Sequence, residues 1–328
     1  MIVQEAFFGK VIALKKLEKL IDKLKAKYSP DWTSYIVRIH NDINKDPIIQ
    51  EMIQLITDQF GFKETMITIT KSTKYVAQVI VLDDQGSMYN KKDDKELASL
   101  IRTNEGLRFN TKKGEPPCVL IIISMGMLLS NRITSGEIVA GLLHEIGHAF
   151  SKSTLLDPNF NDRVDEKFAD NFAIMYGYGP ELSSILSKSA TYRQYEDIES
   201  LRKIPIVNIF LGLKSITSSL INRGISGNVH PTLYHRMTNT ISQLEYELNN
   251  VKNLTRKQKQ EIQSNIDKAK AQLDSYYADT PYASDSLYKY YLKNIEPSLG
   301  KETRAESIAD KVISADIMNQ KISSIGRR

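Results

Sequence analysis

The chain has 328 residues, 41% hydrophobic and 25% charged, which is enough for two domains or for one domain with extensions. Its formal net charge of +5 is too small to indicate a nucleic-acid partner, and we expect none. Cys118 is the only cysteine, which excludes an intrachain disulfide and favours a reducing compartment. We find no signal-peptide pattern, and the longest apolar run, residues 118–129, is well short of the roughly 20 residues that span a membrane. A cytoplasmic location without a transmembrane span is therefore expected.

Residues 7–28 have the pattern of an amphipathic helix. Its apolar positions recur every three or four residues, at Phe7, Leu14, Leu17, Ile21, Leu24 and Tyr28. The polar face is basic, because seven lysines stand against three acidic residues and give residues 1–30 a net charge of +4. Such a helix can contact a membrane surface or dock a partner, but packing on its own domain is the simpler interpretation. We treat residues 1–45 as an N-terminal amphipathic helical segment.

The next part of the chain predicts a helix and several strands. The helix covers residues 47–60, with Pro47 in its first turn and Gly61 just after its end. Runs of β-branched residues predict strands at 65–70, 75–82 and 118–124, and a short one at 35–39. Residues 83–117 are polar and irregular. This order predicts an α+β domain in which a small twisted sheet lies over the helix that follows.

Residues 133–150 (ITSGEIVAGLLHEIGHAF) contain an HExxH pentad, His144-Glu145-Ile146-Gly147-His148. Thr134 and Glu137 fit a capping box, and the apolar positions after them follow a helical period. Because residues four apart lie on one face of a helix, His144 and His148 can bind a single zinc ion. Glu145 is rotated away from both histidines and can act on a water beside the metal as a general base.

A third zinc ligand is expected, since catalytic zinc usually has three protein ligands. Residues 162–176 (DRVDEKFADNFAIMY) have a helical pattern in which Glu166 and Asp170 lie four apart on one face. We assign Glu166 as the third ligand. Asp170 is assigned as the acceptor for the second ring N–H of a zinc-bound histidine, a contact that fixes the tautomer. The alternative is that Glu166 and Asp170, with Asp162 and Asp165, form an ordinary solvated acidic face.

Four of the five histidines fall in two short segments, residues 144–148 and 230–235. The second segment reads VHPTLYHRM over residues 229–237. An imidazole at His230 near the metal could stabilise the oxyanion of a tetrahedral intermediate. The start of a helix at His230-Pro231 is an equally good interpretation of this segment.

These three segments resemble the motifs of the M48 (Ste24/HtpX-like) zinc metallopeptidases, which read HExxH, ExxAD and HP-xxxx-R in that order. The matching residues are 144–148, 166–170 and 230–236, within a similarity that covers roughly residues 118–240. Two features depart from the family pattern. Many family members are embedded in membranes, and the serine-threonine step before HP is Asn228-Val229 here.

The resemblance implies a soluble zincin-like (gluzincin) fold with one Zn2+ ion. It implies that the zinc ligands are His144, His148 and Glu166 and that Glu145 is the catalytic base. It also implies that His230 and Arg236 line the cleft or support it.

The C-terminal third predicts further helices. Apolar stripes at residues 233–248 and 262–276 predict an antiparallel helical hairpin. Six tyrosines crowd into residues 276–291, and a last helix is expected at residues 302–322. This extension, residues 241–328, could mediate protein assembly or could simply enlarge the core.

Residues 46–240 form the expected metallopeptidase domain. We expect a soluble zinc endopeptidase that acts on protein or peptide substrates. The alternative is a structural or assembly protein that keeps a zincin domain with little proteolysis or with a single processing event.

Overall fold

A computed structural model of the chain describes residues 12–31, 35–72, 75–82, 118–150, 162–195, 233–251 and 254–278. These residues fall into two compact units. We call the described residues of Ala13–Ile133, with Ala149 and Phe150, the sheet unit. Those of Thr134–His148 and from residue 162 onward are called the helical unit.

The sheet unit is built around one central buried strand. Its elements are α1 (Ile12–Tyr28), a 3-10 turn (Ser29–Asp31), α2 (Ile36–Ile43), α3 (Pro47–Phe60), β1 (Glu64–Thr70), β2 (Ala77–Leu82), β3 (Cys118–Ser124) and α4 (Met125–Leu129). Strand β3 pairs in parallel with β1 and antiparallel with β2, and all seven of its side chains are buried. Burial on both faces explains why the sequence of β3 is continuously apolar.

The apolar stripe of α1 is buried at each of its described positions, which are Leu14, Leu17, Leu20, Ile21, Leu24 and Tyr28. The Lys25 ammonium donates to the carbonyl oxygens of Ser130 at 2.5 Å and Ile133 at 2.7 Å, and so ties α1 to the end of its own unit. The apolar face of α1 is therefore used in packing. Membrane contact by residues 7–28 remains a prediction. The exposed lysines of the helix would make this contact.

The predicted strand at residues 35–39 is wrong, because this segment starts helix α2. Ile39 and Ile43 are buried one helical turn apart, and the Asn44 side chain after the helix bonds the backbone of Ile69 in β1 at 2.8 and 3.0 Å. The strand preference of isoleucine and valine is weak, and here burial at helical spacing overrides it.

The helical unit contains five described helices. They are α5 (Ser135–Phe150, as far as His148), α6 (Asp162–Met175), α7 (Gly179–Tyr195), α8 (Leu233–Asn250) and α9 (Arg256–Ala278). Helices α8 and α9 form the predicted antiparallel hairpin, and Ile174 of α6 packs with Leu244, Ile262 and Ile266 of that hairpin. The described chain is mostly helical with a small mixed three-stranded sheet, which confirms the α+β class.

Helix α8 runs through residue 240, where the sequence predicts a domain boundary, and the division at residues 45 and 240 stays a prediction. The predicted features at residues 83–117 and 302–322 lie outside the described residues, as do the tyrosines after residue 278. Among the described helices, none combines the length and apolar character needed to cross a membrane.

Glu247 on α8 is a buried carboxyl, with only 3% of its surface exposed. Burial raises its pKa from 4.5 to about 8, against the smaller opposite effect of a hydrogen bond with Gln243. The folded chain therefore holds a proton that the unfolded chain releases above pH 4.5, so Glu247 makes stability fall as the pH rises from about 4.5 to 8. We expect Glu247→Gln to raise the free energy of unfolding by about 2–4 kcal/mol at pH 7 and to have little effect near pH 4.5.

Urea denaturation of both proteins at pH 5 and pH 7.5 measures this difference. Glu245→Gln is the matched control, because Glu245 is 44% exposed and pairs with Lys270 at the surface. An equal effect of Glu247→Gln at both pH values would contradict the assignment of a buried protonated carboxyl.

Candidate metal centre

Helix α5 begins with the predicted capping box. The Thr134 N–H donates to the Glu137 carboxylate at 2.7 Å, and the Glu137 N–H donates to the Thr134 hydroxyl at 3.2 Å. The same carboxylate accepts hydrogen bonds from Ser184 and, at 2.7 Å, from Lys188, both on α7. Reciprocal capping satisfies backbone groups at the helix start, and the ammonium contact holds α5 to α7. The helix that carries the two histidines is thereby held in place at its first turn.

Gly147 allows α5 to approach α6 very closely. A Cβ atom at this position would lie 2.7 Å from the Cα atom of Ala169 and 3.1 Å from the Cβ atom of Phe172. Backbone cannot yield to such a contact as a flexible side chain can, so the observed packing requires glycine. One turn before Ala169 on α6 lies Glu166, which the close approach brings to the histidines of α5.

Three atoms with the chemistry of zinc ligands converge at this point. The Nε2 atoms of His144 and His148 are 3.2 Å apart. Oε1 of Glu166 lies 3.4 Å from Nε2 of His148, and Oε2 of Glu166 lies 3.6 Å from Nε2 of His144. In a tetrahedral site with metal bonds of about 2.0–2.2 Å, ligand atoms lie roughly 3.3–3.6 Å apart. The His-His-Glu group can therefore hold a metal ion.

Each histidine ring is also held from its other nitrogen by a carboxylate. The Nδ1 atom of His144 lies 2.9 Å from Asp170, the contact expected from the sequence, and Nδ1 of His148 lies 2.9 Å from Asp165. A carboxylate accepts hydrogen bonds, so each Nδ1 carries the proton, and Nε2 is the atom that can bind a metal.

The contact of Asp165 with His148 was not predicted from the sequence. A signal for it was present, because two histidine ligands need two acceptors and the four-residue spacing supplies only Asp170. Asp165 directly precedes the third ligand, Glu166, and is the remaining acid in that turn of the helix.

Arg236 of α8 holds Asp170 in place. Its Nε and Nη2 atoms donate to the two carboxylate oxygens at 2.8 and 2.5 Å, and Nη2 lies 3.4 Å from Nδ1 of His144. Burial alone would raise the pKa of Asp170, but the charge of Arg236 and the hydrogen bonds with His144 and Arg236 together outweigh it and lower the pKa. Asp170 is thus ionised between a guanidinium and an imidazole, and Arg236 acts behind the ligands rather than as one of them.

The surroundings of His148 favour positive charge. Burial would lower its pKa, but hydrogen bonds with Asp165 and Glu166, together with the charge of Glu145, raise it to about 10. Metal binding at Nε2 must then displace a proton, as is general for histidine ligands.

The two remaining predicted residues have different outcomes. Glu145 lies on α5 next to His144, is partly exposed, and is close enough for its charge to raise the pKa of both His148 and Arg236. His230 lies outside the described residues, and its proposed role stays a prediction.

Comparison of the chain with protein-family models, with characterised proteins and with solved structures gave no match. The resemblance to M48 peptidases therefore rests on the three motifs alone.

Proposed function

We propose that this chain is a zinc-dependent endopeptidase of the gluzincin type, similar to the M48 metallopeptidases. The observation that carries the proposal is the convergence of His144, His148 and Glu166, with a carboxylate behind each imidazole. A zincin-like (gluzincin) fold is part of this proposal.

The charges at the site support a divalent cation. Three carboxylates (Asp165, Glu166 and Asp170) and one guanidinium (Arg236) surround the two imidazoles. When the histidines are neutral, as metal binding requires, these four groups sum to a charge of −2. Buried charges of one sign are costly, and a bound dication would offset them.

The residues then have distinct roles. When bound, zinc would supply a Lewis acid that polarises the scissile carbonyl and the attacking water. Glu145 is the candidate general base, because it follows the first ligand, is partly exposed and is assigned to no ligand position. It would take the proton of the water and deliver it to the leaving amine. His230 remains the candidate for stabilising the oxyanion.

The burial of the ligands favours a second candidate, in which the metal has a structural role. Both histidines are 8% exposed and Glu166 is 5% exposed, and closed sites of this kind can contribute to folding instead of catalysis. In that case the chain is a structural or assembly protein, and its helical C-terminal hairpin would serve association.

Metal analysis combined with a cleavage assay tests the proposal. We expect about one zinc ion per purified chain and cleavage of an unfolded, fluorescently labelled protein. A chelator should abolish this cleavage and added zinc should restore it. Glu166→Ala should lose both zinc and cleavage, because it removes one of three ligands.

Glu245→Ala is the matched control, since it removes a surface glutamate of the same unit. Zinc that raises the melting temperature without any cleavage would favour the structural role. A chain that binds no zinc would contradict both candidates.

A further inference from the structure

Asp165 and Glu166 are neighbours in sequence, yet both contact the same imidazole. Asp165 lies 2.9 Å from Nδ1 of His148, and Glu166 lies 3.4 Å from its Nε2. Successive residues of a helix point about 100° apart, so two neighbours rarely reach one small group from the same side. Here they reach opposite sides of one ring. The His148 imidazole is therefore clamped between two consecutive carboxylates of α6.

This clamp has two physical consequences. Because the Asp165 carboxylate only accepts, it keeps the proton on Nδ1, so Nε2, which faces Glu166 and His144, is the nitrogen that can bind a cation. A negative charge behind the ring also makes Nε2 a stronger donor to a cation. Both side chains are largely buried, because only 17% of the side-chain surface of Asp165 and 11% of that of His148 is exposed, so water competes weakly for the bond.

Asp170 performs the equivalent task for His144 but cannot be tested as cleanly. It shares its carboxylate with Arg236 through two hydrogen bonds, so its removal would strand a buried guanidinium. A variant at Asp170 would therefore report on folding as much as on the metal. The contact between Asp165 and His148 does not involve Arg236. A variant at Asp165 therefore tests this contact while the Asp170–Arg236 pair is kept.

We propose that Asp165 is the positioning residue for His148 and a determinant of how tightly this site retains a divalent metal. This inference rests on the metal binding in the proposed function, and it does not depend on peptide cleavage. Loss of an outer carboxylate of this kind typically weakens metal affinity about 10- to 100-fold.

The test compares zinc affinity and zinc release in three variants. Affinity is measured by competition with a chromophoric chelator, release is followed after addition of excess EDTA, and circular dichroism checks the fold. We expect Asp165→Ala to weaken affinity about 10- to 100-fold through faster release, and Asp165→Asn, which keeps an acceptor oxygen, to fall in between. Asp267→Ala, which removes an exposed acid of α9, should match the wild type.

A spectroscopic readout covers the case in which Asp165→Ala fails to fold. In the zinc-loaded wild type, the Nδ1–H proton of His148 should give a downfield, slowly exchanging NMR signal. This signal should weaken in Asp165→Asn, whereas the His144 signal should not. Zinc affinity within twofold of wild type in both Asp165 variants, or a His148 ring without a proton on Nδ1, would overturn the inference.

These outcomes separate the inference from the proposed function. Zinc binding that depends on Asp165, without any peptide cleavage, would contradict the proposed endopeptidase activity but support the role of Asp165. If both Asp165 variants cleave peptide and bind zinc as the wild type does, the endopeptidase activity would be supported and the role of Asp165 would be contradicted.

Discussion

Replacement of Glu145 by glutamine should leave zinc binding intact and lower the rate of peptide cleavage by roughly 10²- to 10⁴-fold. Glutamine has nearly the same shape as glutamate, but its amide cannot accept a proton from water. The group that can hold a metal consists of His144, His148 and Glu166, so the substitution leaves this group unchanged. This selective loss is what a general base predicts.

The measurement combines zinc content with kcat and KM on a labelled peptide. We expect the loss in kcat, because a general base acts in the transition state and contributes little to substrate binding. Glu245→Gln makes the same chemical change on the surface of α8 and should behave as wild type. Cleavage by Glu145→Gln within twofold of wild type would rule out this mechanism. Loss of zinc in the variant would assign Glu145 to the ligands.

Replacement of Arg236 by methionine should lower the free energy of unfolding by about 3–5 kcal/mol. Arg236 makes two hydrogen bonds with Asp170, and the two side chains are 11% and 2% exposed. Methionine keeps much of the volume but leaves the Asp170 carboxylate buried without its guanidinium. An uncompensated buried charge costs far more than the pair itself contributes.

Chemical denaturation in the presence of a chelator measures this effect, so that a change in metal affinity does not contribute. Lys270→Met is the matched control, because the Lys270–Glu245 pair is equally short at 2.7 Å but is 52% and 44% exposed. Surface pairs contribute about 0–1 kcal/mol, and we expect the control to fall in that range. If the two variants lose similar free energies of unfolding, burial does not make the Arg236–Asp170 pair more important for stability than the Lys270–Glu245 pair.

Several features could be predicted from the sequence because they depend on local periodicity. A continuous apolar run predicts strand β3 with its observed bounds, Cys118–Ser124. The four-residue spacing predicts that His144 and His148 share a face, and the same spacing relates Glu166 to Asp170. These relations follow from the geometry of a single helix or strand.

The error at residues 35–39 has the same origin as these successes. Isoleucine and valine favour strands only when they can pair with a neighbouring strand, and among the described residues no strand pairs with this segment. Ile39 and Ile43 are buried at helical spacing instead. Local propensity could not reveal which neighbour would cover them.

By itself, the sequence determined which residues can be ligands and how they are spaced along each helix. Only the tertiary structure decided that Asp165 supports His148, that Arg236 binds Asp170, and that Gly147 is where α5 meets α6. These contacts join residues that are 17, 66 and 22 positions apart in the chain. Helical periodicity relates residues within one element, whereas contacts between elements depend on how the helices pack, and that packing has no period along the chain.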